Sequence, residues 1–126
     1  MMNKQEIKKI FLSSLRTRLI EEALANEYFN QEIRTPIHLS IGQELVASGV
    51  CNFLSKNDFV ISHHRSHAHF FAKGGSLNKF FAELYGKKNG CSKGNGGSMH
   101  LIDLSKKFLG ATAIVGNSIP VGAGYA

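Results

Sequence analysis

Four histidines and one arginine are concentrated in the eight residues from Ser62 to His69. They are His63, His64, Arg65, His67 and His69. Imidazoles at these spacings could converge on a metal ion, since histidine is a common ligand of zinc. However, no neighbouring Asp, Glu or Cys completes such a site, and the Arg65 cation would repel a divalent ion. Three interpretations stay open: a metal site, histidines that pack or face solvent, and an anion-binding site around the guanidinium.

The element that precedes the histidines favours the anion-binding interpretation. Phe59-Val60-Ile61-Ser62 is a short apolar run that follows a polar turn, which predicts a buried strand. Ligands of open α/β sheets bind outside the carboxyl ends of the strands. An arginine flanked by hydrogen-bonding histidines at such an end is suited to a phosphate or a carboxylate.

A glycine-rich segment runs from Gly86 to Gly97. Its core, Gly94-Asn95-Gly96-Gly97-Ser98, matches neither the G-x-x-x-x-G-K-[ST] phosphate loop nor the G-x-G-x-x-G fingerprint, because Met99 occupies the last required glycine. Glycines nevertheless let a backbone turn sharply or approach another group closely. The sequence leaves open whether this segment is structural, disordered or ligand-facing.

Composition sets the class of protein. With 126 residues and 43% hydrophobic content the chain fits one small globular domain. It has no apolar run of about 20 residues and no signal peptide, and its two cysteines, Cys51 and Cys91, form no metal-type pair. We therefore predict a cytoplasmic protein without a membrane partner. The net charge is +6, but the basic residues are scattered, so we also predict no nucleic-acid partner.

Hydrophobic periodicity predicts the elements that position these segments. Apolar residues at 7, 11, 15 and 19 predict a helix from Lys4 to about Ala25, begun by a capping box of Asn3 and Glu6. Ser76 is the expected cap of a helix that runs to Tyr85. The inner face of that helix is expected to hold Leu77, Phe80, Phe81 and Leu84.

Three further elements complete the prediction. A helix from about Gly42 is expected to bury Val46, Val50, Phe53 and Leu54. The stretch from Ala113 to Pro120 is expected to contain a strand near Ile114 and a turn, and a helix begins at Pro120. Helices that alternate with short apolar strands predict an α/β fold with a parallel sheet.

Six motifs in a fixed order resemble the alpha subunit of thiamine-diphosphate-dependent 2-oxo acid dehydrogenases. They are His38, Gly42-Gln43-Glu44, His64-Arg65-Ser66-His67, Ala82-Glu83-Leu84-Tyr85-Gly86, the run from Lys93 to His100, and Ile114-Val115-Gly116 with Ile119-Pro120. The run to His100 is more similar to the pyruvate and acetoin dehydrogenase types than to the branched-chain type. The resemblance implies an incomplete parallel-sheet cofactor-binding fold with an N-terminal helical segment.

The resemblance also assigns residues. It implies that His38, His64 and Arg65 face the diphosphate or the substrate side of thiamine diphosphate, and that His67 is catalytic. The backbone of Ala113 and Val115 would hold the aminopyrimidine ring. The family usually has tyrosine at position 64, so the contact of His64 is expected to differ in reach and charge.

The family's reaction is the oxidative decarboxylation of pyruvate or a similar 2-oxo acid. The implied partners are a beta subunit, which supplies the glutamate that activates the cofactor, and a lipoyl-bearing acyltransferase. The family's Gly-Asp-Gly motif, which holds Mg²⁺, does not occur in this sequence. We therefore expect residues 1–126 to be the N-terminal portion of the domain, truncated at the C-terminus and inactive alone. The alternatives are an acetoin dehydrogenase alpha subunit and a truncated, non-catalytic binding module.

Overall fold

The computed structural model describes residues 2–33 and 35–126. Its first element is helix α1, Lys4–Tyr28. The predicted capping box is confirmed: the Asn3 side chain accepts from the Glu6 amide at 2.9 Å, and the Glu6 side chain accepts from the Asn3 amide at 2.8 Å. The helix extends three residues beyond the predicted end at Ala25.

The apolar stripe of α1 faces solvent rather than the core. Ile7, Phe11, Leu15 and Leu19 are 41–61% exposed. The residues that α1 buries are Ile10, Thr17, Glu21 and Leu24. The inner face of α1 thus combines apolar with polar side chains, while large apolar side chains lie on its exposed face.

Helix α2, Glu44–Phe53, packs against α1. The expected burial of Val46, Val50 and Phe53 is wrong, since these side chains are 56–65% exposed, while Leu54 is half-buried. The buried residues are Glu44, Ala47 and Ser48. Small and polar side chains allow close approach here: the Ser48 hydroxyl lies 2.5 Å from that of Ser14, and Glu44 forms an ion pair with Arg18.

Two strands form a parallel pair. Strand β1, Val60–Ser62, confirms the strand predicted at residues 59–62. Its partner is β2, Phe108–Ala111, with Ile61 opposite Gly110 and Ser62 opposite Ala111. The predicted strand near Ile114 is wrong, but the turn predicted between Ala113 and Pro120 is confirmed, because the Asn117 amide donates to the Ile114 carbonyl at 3.1 Å. The chain is thus helix-rich with a small parallel sheet, which is compatible with an α/β fold.

Helix α3, His67–Ala72, was not predicted; it occupies the second half of the histidine segment. Helix α4, Leu77–Leu84, confirms the Ser76 cap, whose side chain accepts from the Lys79 amide. Two short 3₁₀ turns, Gly97–Met99 and Leu104–Lys106, precede β2, and helix α5, Ser118–Tyr125, follows it.

The hydrophobic core lies between α1, α3, α4 and the sheet. Its fully buried side chains include Leu24, Phe70, Phe80, Leu84, Leu101 and Phe108. Phe80 and Leu84 supply the expected inner face of α4, with Leu77 and Phe81 partly buried beside them. This core is the rigid base on which the connection between β1 and α3 rests. No helix in the described ranges is long and apolar enough to cross a membrane.

Candidate active site

His38, His64 and Arg65 lie next to one another at the carboxyl end of β1. The rings of His38 and His64 meet edge to face, with centroids 5.2 Å apart. The Arg65 guanidinium reaches the residue after His38 and donates to the Leu39 carbonyl oxygen at 2.6 Å. Two segments that are far apart in sequence therefore form one polar surface.

The two imidazoles at this surface each carry a buried nitrogen without a partner. Nδ1 of His38 and Nδ1 of His64 form no hydrogen bond within the described part of the chain. A buried polar atom left without a partner costs about 1–3 kcal/mol. Neighbouring orphaned nitrogens are typical of a place where a ligand or a water molecule completes the hydrogen bonds.

Burial and charge determine the protonation of His38. Burial lowers its pKa, and the nearby His64, Arg65 and His67 lower it further. At neutral pH the His38 ring is therefore uncharged, and it offers one N–H donor and one acceptor nitrogen.

Arg65 supplies the positive charge of the surface. Among residues 2–33 and 35–126 the ion pairs of arginine join Arg18 to Glu22 and Glu44, so Arg65 has no carboxylate partner there. The backbone around it is fixed, because its amide donates to His63 Nδ1 at 3.1 Å and its carbonyl accepts from the Ser40 hydroxyl at 3.2 Å. A guanidinium has five N–H donors. The remaining donors of Arg65 are suited to a phosphate or carboxylate.

His67 lies behind this surface and is fully buried. Its Nδ1 is 2.9 Å from Glu21 Oε1, and its Nε2 is 2.8 Å from Ser98 Oγ. Ser98 Oγ also accepts from the backbone amide of His38 at 3.3 Å. The hydroxyl can therefore donate to Nε2 of His67 while the Nδ1–H donates to Glu21. In this arrangement His67 orients other groups, and its predicted catalytic role stays a prediction.

Ala113 and Val115 lie in the connection after β2. Ala113 is half-buried and the Val115 side chain is 76% exposed, which leaves a backbone role open to both. Because Ser62 and Ala111 are paired in a parallel register, the connections after β1 and after β2 leave the sheet at the same edge. The structure thus places both predicted cofactor-binding segments at one edge of the sheet.

The metal interpretation of the histidine cluster gains no support. Within the described ranges no group of three His, Cys, Asp or Glu side chains is placed to hold a metal ion. His63 instead packs edge to face against His64 and His69, with ring centroids 5.5 Å apart in each pair. His69 Nδ1 is hydrogen-bonded to the Ser62 hydroxyl at 3.1 Å.

Two residues of this network escaped sequence reasoning. Glu21 lies on a helix with charged neighbours and was indistinguishable from a solvent-facing carboxylate, although it is fully buried. Ser98 belongs to the glycine-rich core and to the run from Lys93 to His100, but neither pattern predicts that it links His67 to His38. No local signal predicts either contact, because each joins residues 31 or more positions apart.

Comparison with known proteins defines the class. Residues 13–126 match the family described as the dehydrogenase E1 component. That match covers most of the chain, and the chain belongs to this family.

Individual relatives are more specific. Over 123 residues, 98% of this chain, it is 44% identical to the pyruvate dehydrogenase E1 component subunit alpha of Rickettsia felis. It is 40% identical over 124 residues to the mitochondrial subunit alpha of Dictyostelium discoideum, and 41% identical over 122 residues to the mitochondrial subunit alpha-1 of Arabidopsis thaliana. The matched region is 38%, 32% and 31% of those proteins, respectively, so the chain spans just over a third of their length at most.

Proposed function

We propose that this chain forms the N-terminal part of the cofactor site of a pyruvate dehydrogenase E1 alpha subunit. The observation that carries the proposal is the shared sheet edge. Parallel strands position there the turn after β2 and the segment with His64 and Arg65, which has no carboxylate partner among the described residues, and His38 lies against His64. The relatives named above support pyruvate as the 2-oxo acid.

The residues present fit thiamine diphosphate. Arg65 would neutralise part of the diphosphate charge, and His64 would donate to a phosphate oxygen. His38, held neutral by burial, would face the diphosphate or the substrate. Main-chain groups of Ala113 and Val115 would contact the aminopyrimidine ring. When bound, the cofactor supplies the electron sink that decarboxylation of a 2-oxo acid requires.

The chain's own residues orient the site and exclude water beneath it. Glu21 and Ser98 hold His67 from both sides in the core, and Ser98 fixes the backbone at His38. We assign no Mg²⁺ ligand to this chain. The proposed partners are a beta subunit, which would supply the activating glutamate, and a lipoyl-bearing acyltransferase that receives the acyl group. Location in the cytoplasm stays a prediction.

A chimaera tests the proposal directly. Residues 1–126 would be joined to the remainder of the Rickettsia felis subunit alpha, coexpressed with its beta subunit, and titrated with thiamine diphosphate and Mg²⁺ by calorimetry. A charge-assisted hydrogen bond contributes about 1.5–3 kcal/mol, so Arg65→Ala should weaken cofactor binding about 10- to 150-fold. Arg16→Ala, which removes an exposed guanidinium on α1, is the matched control and should leave binding unchanged.

Two further measurements test which substrate is used and whether the 126-residue chain is active alone. Release of carbon dioxide from pyruvate separates the pyruvate dehydrogenase function from the acetoin dehydrogenase alternative. The 126-residue chain alone is expected neither to bind the cofactor in the micromolar range nor to decarboxylate pyruvate. Unchanged affinity of the Arg65→Ala chimaera would contradict the assignment of the anion site.

A further inference from the structure

The glycine-rich segment closes around a carboxylate of the chain itself. Glu83, on α4, is fully buried, and its two oxygens accept four backbone N–H groups. Oε2 accepts from Ser92 at 2.6 Å and Gly94 at 2.9 Å, and Oε1 accepts from Gly96 at 2.7 Å and Gly97 at 3.2 Å. Successive backbone amides of this kind usually form a nest for a bound anion. Here the nest is filled by a side chain, so these amides are not available to a ligand's phosphate.

The glycines make this enclosure sterically possible. A Cβ at Gly90 would lie 2.4 Å from Glu83 Oε2 and 2.6 Å from its Cα. Gly97 has a φ of +58°, and a Cβ there would lie 2.8 Å from a methyl carbon of Thr35. Packing around Glu83 therefore requires glycine at position 90, while the positive φ and the contact with Thr35 favour glycine at position 97.

The enclosed segment leads without interruption into the candidate site. Gly97, the last amide bound by Glu83, immediately precedes Ser98, whose hydroxyl joins His67 Nε2 to the His38 amide. The Glu83 carboxylate therefore holds the residue directly before Ser98, and Ser98 makes the hydrogen bonds to His67 and His38. A shift of the Gly96–Gly97 backbone would move Ser98 away from its two partners.

We propose that Glu83 is a positioning residue that fixes Ser98, and through it His67 and His38, in the geometry of the cofactor site. The link to catalysis rests on the proposed function, because it requires His38 to face cofactor or substrate. The positioning itself is a property of the folded chain and can be measured without any cofactor.

Glu83→Gln is the central variant, because it keeps the shape of the side chain and removes its charge and one acceptor oxygen. In NMR hydrogen exchange the amides of Ser92, Gly94, Gly96 and Gly97 should exchange about 10-fold faster or more, as expected for the loss of charge-assisted hydrogen bonds. In the same sample the imidazole ¹⁵N signals of His38 and His67 should shift. Glu22→Gln, which neutralises an exposed carboxylate on α1, should change neither.

Two more variants separate positioning from general stability. Ser98→Ala removes the hydroxyl that bonds to His67 and His38 but leaves the Glu83 carboxylate in place. It should therefore shift the imidazole signals of His38 and His67 while the amides of Ser92, Gly94, Gly96 and Gly97 stay protected. Glu83→Asp keeps the charge on a shorter side chain and should restore part of the protection. Imidazole signals that are unchanged in folded Glu83→Gln would overturn the proposal.

The unmodified chain provides a test that does not depend on whether Glu83→Gln folds. Its four nest amides should exchange as slowly as core amides such as that of Phe80, and exchange at the rate of an open loop would also overturn the proposal. None of these measurements uses thiamine diphosphate. Failure of cofactor binding in the chimaera would therefore leave the positioning result intact, and failure of positioning would leave the Arg65 test intact.

Discussion

Acid should destabilise this chain through His69 in particular. The side chain lies on α3 and is half-buried, with its Nδ1 at 3.1 Å from the Ser62 hydroxyl at the end of β1 and the His63 ring edge to face against it. Burial lowers the pKa of His69 from 6.5 to about 4, and the positive charge that His63 gains in acid contributes to the same shift. In the unfolded chain His69 takes up a proton near its ordinary pKa.

The direction and size of the pH effect on the free energy of unfolding follow from the difference between the folded and unfolded pKa of His69. Between about pH 6.5 and pH 4 the unfolded chain binds a proton at His69 that the folded chain does not, so the free energy of unfolding falls as the pH falls. The full contribution is present above the unfolded pKa and is lost as the pH falls towards the folded value. At about 1.4 kcal/mol per pKa unit, the interval corresponds to about 3 kcal/mol.

Urea unfolding at several pH values between about 7.5 and 4, followed by far-ultraviolet circular dichroism, measures this loss. His69→Asn is the informative variant, since asparagine can still bond to Ser62 but does not titrate. The decrease in unfolding free energy from high to low pH should be about 3 kcal/mol smaller in His69→Asn than in the unmodified chain. His100→Asn, at an exposed position, should retain the full decrease. Equal acid losses in His69→Asn and the unmodified chain would refute the reasoning.

Three other substitutions have defined outcomes. Glu21→Ala leaves the buried Nδ1–H of His67 without its acceptor and should lower the urea unfolding free energy by about 1–3 kcal/mol. Glu22→Ala next to it should change that free energy by less than about 0.5 kcal/mol, and similar losses in the two variants would contradict burial of the Glu21–His67 contact. Asn3→Ala removes the capping box and should cost about 1 kcal/mol, seen as earlier thermal loss of helical ellipticity, and an unchanged melting curve would show that the cap contributes nothing. His64→Tyr in the chimaera should bind thiamine diphosphate as well as or better than His64, and a large loss by calorimetry would show that the loop serves another ligand.

Elements marked by local chemistry were predictable from the sequence. The Asn3 and Glu6 pair begins α1, the Ser76 hydroxyl caps α4, and the polar turn before Phe59 leads into β1. In each case the signal and the structure it specifies lie within a few residues of one another, so no tertiary information was needed.

Faces and distant partners were not predictable in the same way. The contact between α2 and α1 is close and therefore requires small side chains such as Ala47 and Ser48 on the inner face of α2. The large residues of α2 consequently point outward, and this depends on α1 rather than on the sequence of α2. The apolar pair Ile114-Val115 has strand propensity, but the turn closed at Asn117 prevails over it.

The residues of the candidate site likewise fall into those that the sequence predicts and those that only tertiary contacts reveal. His38, His64 and Arg65 were found from their motifs, and the structure places them together. Glu21, Ser98 and Glu83 orient that surface from the interior, and their importance depends on contacts that only the folded chain makes. Their residue types are individually unremarkable in the sequence.

The polar inner face of α1 has a consequence for how the helix is placed. Contacts between apolar side chains tolerate sliding, whereas the Ser14–Ser48, Arg18–Glu44 and Glu21–His67 contacts each need a defined distance and direction. Sliding α1 by one turn would leave all three unpaired at once, so its alignment has a single solution. The outer residues, such as Phe11 and Leu19, have no part in that alignment.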